Sequence, residues 1–175
     1  MALTLVRHTR TLAADGLCYG RSEVALGPDF PAEAAAIAAR LGRPERIVAS
    51  PLVRCRRLAE HLGAALGAPV AIDDDWREMD FGAWEGRPWS AVPRAGLDAW
   101  AADFLEARPH GGESVAMLLG RTRRALAGCG GCATVAVTHA GVIRAALVAS
   151  TGDAAAWQRP VGFGEIVRLD PARGA

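Results

Sequence analysis

Short apolar segments alternate with longer helical ones along this chain, and that alternation constrains the fold more than any other feature. Ala2-Leu3-Thr4-Leu5-Val6 is a run of strand formers that stops abruptly at Arg7-His8. Such a run reads as a buried strand whose C-terminal end carries polar groups. Arg46-Ile47-Val48-Ala49 reads as a second strand, Val70 to Ile72 as a short third, and Thr134-Val135-Ala136-Val137 as a fourth. Gly164 to Leu169 is the last. Between them the spacing predicts helices over 32–41, from Ser50-Pro51 to Leu66, over 97–107, over 114–127, and from His139 to about Ser150. Ser at an N-cap with Pro at the first helical position is a start signal for the second of these. Strands alternating with helices argue an α/β sandwich with a mostly parallel sheet. The length fits a single domain over residues 1–175 with a sizeable core.

Two stretches break the pattern. Residues 10–29 carry Gly16, Gly20, Gly27 and Pro28 and read as loop. Residues 73–96 mix acids, three Trp, Gly and Pro, and a long irregular segment in a compact domain often carries function. In open parallel sheets ligands bind beyond the carboxyl ends of the strands. His8 and His139, two of the four histidines, fall there.

Charge narrows the partners. The formal net charge is +1, so there is no global electrostatic case for nucleic acid or an anionic membrane. The N-terminal MALTLVRHTR is too short an apolar stretch for a signal segment, and no run of about 18 apolar residues occurs. The expected location is cytoplasmic, with Cys18, Cys55, Cys129 and Cys132 as reduced thiols. All 20 basic residues are Arg, so an anion site must use Arg forks, His or backbone N–H groups.

Arg7 and His8 are the first candidates for chemistry. A neutral imidazole is a competent nucleophile near neutral pH. A phosphate dianion repels an incoming lone pair, and a planar Arg fork neutralises that charge. Arg54 shares a helical face with Leu58, Leu62 and Leu66, which aims it inward at the helix N-terminal end. Arg56 and Arg57 fit an exposed helical surface better, and Arg121, Arg123 and Arg124 are available for the outer face of helix 114–127. A proton donor is expected among Glu78, Asp80 and Glu85, with Phe81 and Trp84 as an apolar wall. In Thr138-His139-Ala140-Gly141 the chain runs from strand into helix. There His139 and the N–H groups of Ala140 and Gly141 are placed to meet a bound anion.

Other features carry less. Cys129-Gly130-Gly131-Cys132 is a CxxC without a second pair, and its glycines suggest a turn rather than a metal or redox site. His61 reads as a mid-helix surface histidine, and His110 lies beside a Ser114 that caps a helix.

Taken in order, Arg7-His8, Ser50-Pro51-Leu52-Val53-Arg54-Cys55, Glu78 with Phe81-Gly82 and Trp84-Glu85-Gly86, and Thr138-His139-Ala140-Gly141 resemble the histidine phosphatase superfamily, the phosphoglycerate-mutase-like fold. The resemblance spans nearly the whole chain. It implies a three-layer α/β/α sandwich, phosphorylation of His8, phosphoryl binding by Arg7, Arg54 and His139, and Glu78 as proton donor. It implies no metal and no cofactor. Within the superfamily the chain is most similar to the α-ribazole phosphatases of cobalamin biosynthesis. That closer likeness rests on Cys18-Tyr19-Gly20-Arg21-Ser22-Glu23, on Met79 to Gly86 with Trp89, and on Leu97 to Asp103. Thr11 matches a Thr common in relatives. Thr9 stands where many have Gly, Ala14 where many have a phosphate-contacting Asn, Glu23 where Asp is usual and Ala25 where Pro is usual.

The implied activity is hydrolysis of a small phosphomonoester, α-ribazole 5′-phosphate foremost. The substrate would meet Thr11, Tyr19, Gly20, Arg21, Ser22 and Ala140, with Trp84 and Trp89 shaping the leaving-group side. A broad sugar-phosphate phosphatase, a phosphoglycerate mutase and a protein phosphohistidine phosphatase are the enzymatic alternatives. The short protein phosphohistidine phosphatases lack the acid-bearing loop that Glu78 occupies. A mutase usually needs longer insertions and a C-terminal lid, and the chain ends soon after its last strand. A catalytically dead phospho-ligand binding module is the alternative of a different class. A homodimer is compatible with all of these readings.

Overall fold

Each apolar run becomes a strand of one sheet. The computed structural model describes residues 3–169 and places β1 at Leu3–Arg7, β2 at Arg46–Ala49, β3 at Val70–Ile72, β4 at Thr134–Thr138 and β5 at Ile166–Leu169. Ala2, expected to open the first strand, lies outside the described residues, as does the end of the expected 1–175 domain. The order across the sheet is β3-β2-β4-β1-β5. The first four strands pair in parallel, and β5 pairs antiparallel with β1.

Five helices accompany the strands among the described residues: α1 (Phe30–Arg40), α2 (Val53–Leu66), α3 (Arg94–Ala102), α4 (Val115–Ala127) and α5 (Ala140–Thr151). The central strands β1, β2 and β4 are buried on both faces, with side chains alternating across the pleat. Leu5, Val48, Ala136 and Val167 face a core shared with α4 and α5. Val6, Ile47, Ala49, Val135 and Val137 face a second core with α1 and α2. The result is the expected α/β sandwich, with helices on both sides of a mostly parallel sheet. No helix among the described residues is long and apolar enough to cross a membrane.

Three local expectations are corrected. Ser50 does not cap α2: the N-cap is Leu52, with no side-chain cap bond. The Ser50 hydroxyl instead meets His139 Nε2 at 2.8 Å. The helix expected over 97–107 occupies 94–102, starting directly after Pro93 and ending at Asp103. Arg121 does not sit on the outer face of α4 but is buried. Ser114 does cap α4, its hydroxyl accepting the Met117 N–H at 3.1 Å.

Chain direction makes the site. The connection leaving β1 carries α1 over one face towards β2, whereas the one leaving β4 carries α5 over the other face towards β5. The carboxyl ends of β1 and β4 lie side by side, with Arg7 in register with Thr138. A crevice beyond adjacent strands whose connections diverge is where such sheets bind ligands.

Candidate active site

His8 and His139 are the first residues past these two neighbouring strands, so the parallel register brings their rings to 5.3 Å between centroids. His8 is held from both sides of its backbone. Its N–H donates to the Thr138 carbonyl at 3.0 Å, and its own carbonyl accepts the Gly164 N–H at 3.1 Å. Its Nδ1 lies 2.8 Å from the carbonyl oxygen of Thr9. A carbonyl only accepts, so Nδ1 carries the hydrogen and Nε2 keeps its lone pair. Burial, reinforced by the positive charge of Arg54 and then Arg7, lowers the His8 pKa to about 3. His8 is therefore neutral at physiological pH.

A cavity of about 190 Å³ opens at this point. His8, Arg7, Arg54, Tyr19, Gly20 and Glu78 all line it, together with Leu17, Cys18, Phe81 and Trp89. Arg54 comes from the first turn of α2 and is fully buried, as its place on the Leu58–Leu62 face predicts. Its Nη1 donates to the Ser22 carbonyl at 2.8 Å and its Nη2 to the Gly20 carbonyl at 2.6 Å. These two bonds lock the 20–22 loop over the helix end. Arg7 Nη1 donates to the Val161 carbonyl at 2.5 Å, and its guanidinium sits 3.9 Å from the centre of the Phe163 ring. Each of the two arginines has a buried Nε–H without a partner among the described residues. A buried donor left unmade costs about 1–3 kcal/mol. Two guanidinium groups lining one cavity suit an anion.

Glu78 supplies the carboxylate. Its Oε2 accepts the Gly141 N–H at 3.1 Å, and its Oε1 accepts the Met79 N–H at 3.0 Å. Gly141 leaves room for this contact, since a β-carbon there would push the Glu78 carboxylate aside. Of the three candidate acids Glu78 alone lines the cavity. Glu85 is occupied by Ser22 and by the N–H groups of Arg21 and Phe81. Asp80 accepts the Gly82 N–H and faces Arg21.

The remaining sequence candidates are spread more widely. His139 is fully buried, and burial, with Arg54 and His8 nearby, holds its pKa well below the ordinary value. It stands behind His8 against Ser50 and the Cys55 thiol rather than on the cavity wall. Arg21 turns to Asp80 and Glu113, and Ser22 to Glu85. Thr11 belongs to a separate depression with Arg7, Tyr19, Trp89 and Phe163. Ala140 lines another cavity beyond Glu78. Trp84 is buried with Cys18 and Val92, so Trp89 takes the wall position expected for it. Cys18 is the other nucleophilic atom type on the cavity wall, but burial pushes its thiol up to about 11 and keeps it protonated. Among the described residues no three His, Cys, Asp or Glu side chains come together as a ligand set for a metal.

Sequence reading missed one structural centre, Arg121. Its Nη1 donates to the carbonyls of Asp75 and Arg77 at 2.8 and 2.6 Å, and its Nη2 to that of Glu78 at 3.1 Å. Its Nε and Nη2 also grip both oxygens of buried Glu113, at 2.7 and 2.8 Å. This one side chain ties down the segment that delivers Glu78. The signal was present: Arg121 lies three residues beyond Leu118 and four before Ala125, on the buried face of α4.

The chain matches the model of the histidine phosphatase superfamily (branch 1) over residues 3–175. It is 33% identical over 165 residues to a bifunctional protein of Mycobacterium tuberculosis, covering 86% of this chain and 45% of that one. To a metal-independent phosphoserine phosphatase of Arabidopsis thaliana it is 33% identical over 156 residues, covering 82% and 66%. Among solved structures, the α-ribazole phosphatase of Shigella flexneri superposes with a TM-score of 0.86 at 26% identity, covering 99% of this chain and 92% of that one. The chain spans less than half the length of the mycobacterial relative.

Proposed function

The chain belongs to the histidine phosphatase superfamily, and from that premise we propose that it hydrolyses phosphomonoesters with His8 as the nucleophile. The observation that carries this reading is a neutral, tautomerically fixed His8 in one cavity with two arginines and one carboxyl group. The phosphoryl group sits between Arg7 and Arg54, whose charges offset the repulsion met by the attacking lone pair. His8 Nε2 forms a bond to phosphorus as the ester P–O bond breaks in line. Glu78 gives its proton to the departing alkoxide. Water then attacks the phosphohistidine, Glu78 takes the water proton, and the N–P bond breaks to release inorganic phosphate. His139, its ring 5.3 Å from that of His8 and held by Ser50, completes the phosphoryl-binding group.

The substrate we propose is α-ribazole 5′-phosphate. The 18–23 and 79–86 stretches support it, as does the fit over nearly the full length of the Shigella α-ribazole phosphatase. A hydrolysis screen of α-ribazole 5′-phosphate against phosphoserine, phosphoglycerate and sugar phosphates tests it. The highest kcat/KM is expected for α-ribazole 5′-phosphate. A higher value for phosphoserine, the substrate named for the Arabidopsis relative, contradicts it.

A further inference from the structure

Glu78 and Phe81 are shared by two cavities. One holds His8; the other, of about 320 Å³, lies between the 78–81 segment, α4 and α5. Phe81, Trp100, Phe104 and Trp157 form a chain of rings along this second cavity. Their successive centroids are 6.2, 5.7 and 5.7 Å apart. Leu118 and Val115 of α4 extend the apolar surface, and Arg144 and Gln158 are its polar members beside Glu78.

Phosphate chemistry needs none of this surface. In-line attack places the leaving oxygen opposite His8 Nε2, beside the acid that protonates it. The leaving group therefore departs on the Glu78 side. The other depression bordering the His8 cavity, around Thr11 and Phe163, does not include Glu78. We infer that the second cavity seats the leaving alcohol, and that this alcohol carries a flat aromatic ring system. Aromatic walls favour a planar guest through offset and edge-to-face packing. The inference rests on the phosphatase reading and deepens it: Phe104 and Trp157 select for the ring, while His8, Arg7, Arg54 and Glu78 handle the phosphate.

The test compares esters of matched primary alcohols, so that leaving-group reactivity is nearly constant. One pair is α-ribazole 5′-phosphate with ribose 5-phosphate; the other is 2-(1-naphthyl)ethyl phosphate with ethyl phosphate. The ring-bearing member of each pair is expected to show a kcat/KM higher by on the order of tenfold or more, carried by KM. Phe104→Ala and Trp157→Ala are expected to lose most of that preference and to leave ethyl phosphate turnover unchanged. Trp157→Phe keeps it. Phe104→Leu, which retains apolar volume without the ring, carries the same expectation should Phe104→Ala fail to fold. Equal, His8-dependent hydrolysis of ring-bearing and ring-free esters overturns the inference and leaves the phosphatase reading standing. A preference that survives both alanine variants but vanishes in Trp89→Ala also overturns it. Absence of turnover on every ester overturns the phosphatase reading itself.

Discussion

His8 Nδ1 and the carbonyl oxygen of Thr9, 2.8 Å apart, fix which ring nitrogen of His8 keeps its lone pair. The bond holds the imidazole as one neutral tautomer, and burial keeps it so. Acidification should therefore destabilise the fold. The folded pKa of about 3 lies below the unfolded value of 6.5, so the unfolded chain binds more protons between the two. Stability from His8 is complete above the unfolded value and falls as pH drops towards the folded one, by about 1.4 kcal/mol per pH unit. His139 acts with the same sign. Urea unfolding at pH 7 and pH 5 should differ by at least about 2 kcal/mol. A flat profile over that range contradicts the burial argument.

Glu78→Gln removes the proton donor without removing the shape. Turnover of alkyl phosphates should fall by about 10²- to 10⁴-fold. An aryl phosphate needs no acid for its leaving group, so the variant should release one equivalent of phenol quickly and then stall. Rapid-mixing kinetics with p-nitrophenyl phosphate reads this directly; linear release at the wild-type rate contradicts the double role of Glu78.

Gly141→Ala should behave as an indirect Glu78 variant, because the new β-carbon displaces the carboxylate from the α5 terminus. The expected signature is that of Glu78→Gln in weaker form: a fall in kcat for alkyl phosphates, and a rapid burst of p-nitrophenol followed by slowed steady release. Loss of the p-nitrophenol burst itself would show that the substitution disturbs more than Glu78.

Arg121→Met should destabilise the protein by about 3–5 kcal/mol, since it strips buried Glu113 of its two direct guanidinium bonds and leaves the more distant Arg21, at 3.6 Å, as its cation. It also frees three carbonyls of the 75–78 segment. Denaturant midpoints measure the effect, and a loss under about 1 kcal/mol, the range of an exposed pair, contradicts it.

The strands were legible because each is a short apolar run cut off by polar or turn residues, and β1 and β4 differ from expectation only at their ends. Arg54 was legible because its neighbours at helical spacing are apolar. Arg121 obeys the same rule, but its burial depends on Glu113 and on three carbonyls more than 40 positions away, which no local pattern records. Ser50 failed as a helix cap for a related reason. A local capping signal yielded to a partner 89 residues away, His139. Local sequence left Glu78, Asp80 and Glu85 open and the family resemblance singled out Glu78; the fold separates the three by their partners.

The most direct measurement is the fate of the phosphoryl group. Glu78→Gln is mixed with p-nitrophenyl phosphate, quenched in alkaline denaturant to preserve phosphohistidine, and mapped by peptide mass spectrometry. A phosphoryl group on His8, absent when His8→Ala is added to the same variant, is the expected result. Release of nitrophenol with His8 unmodified, or undiminished release from the double variant, would contradict nucleophilic attack by His8.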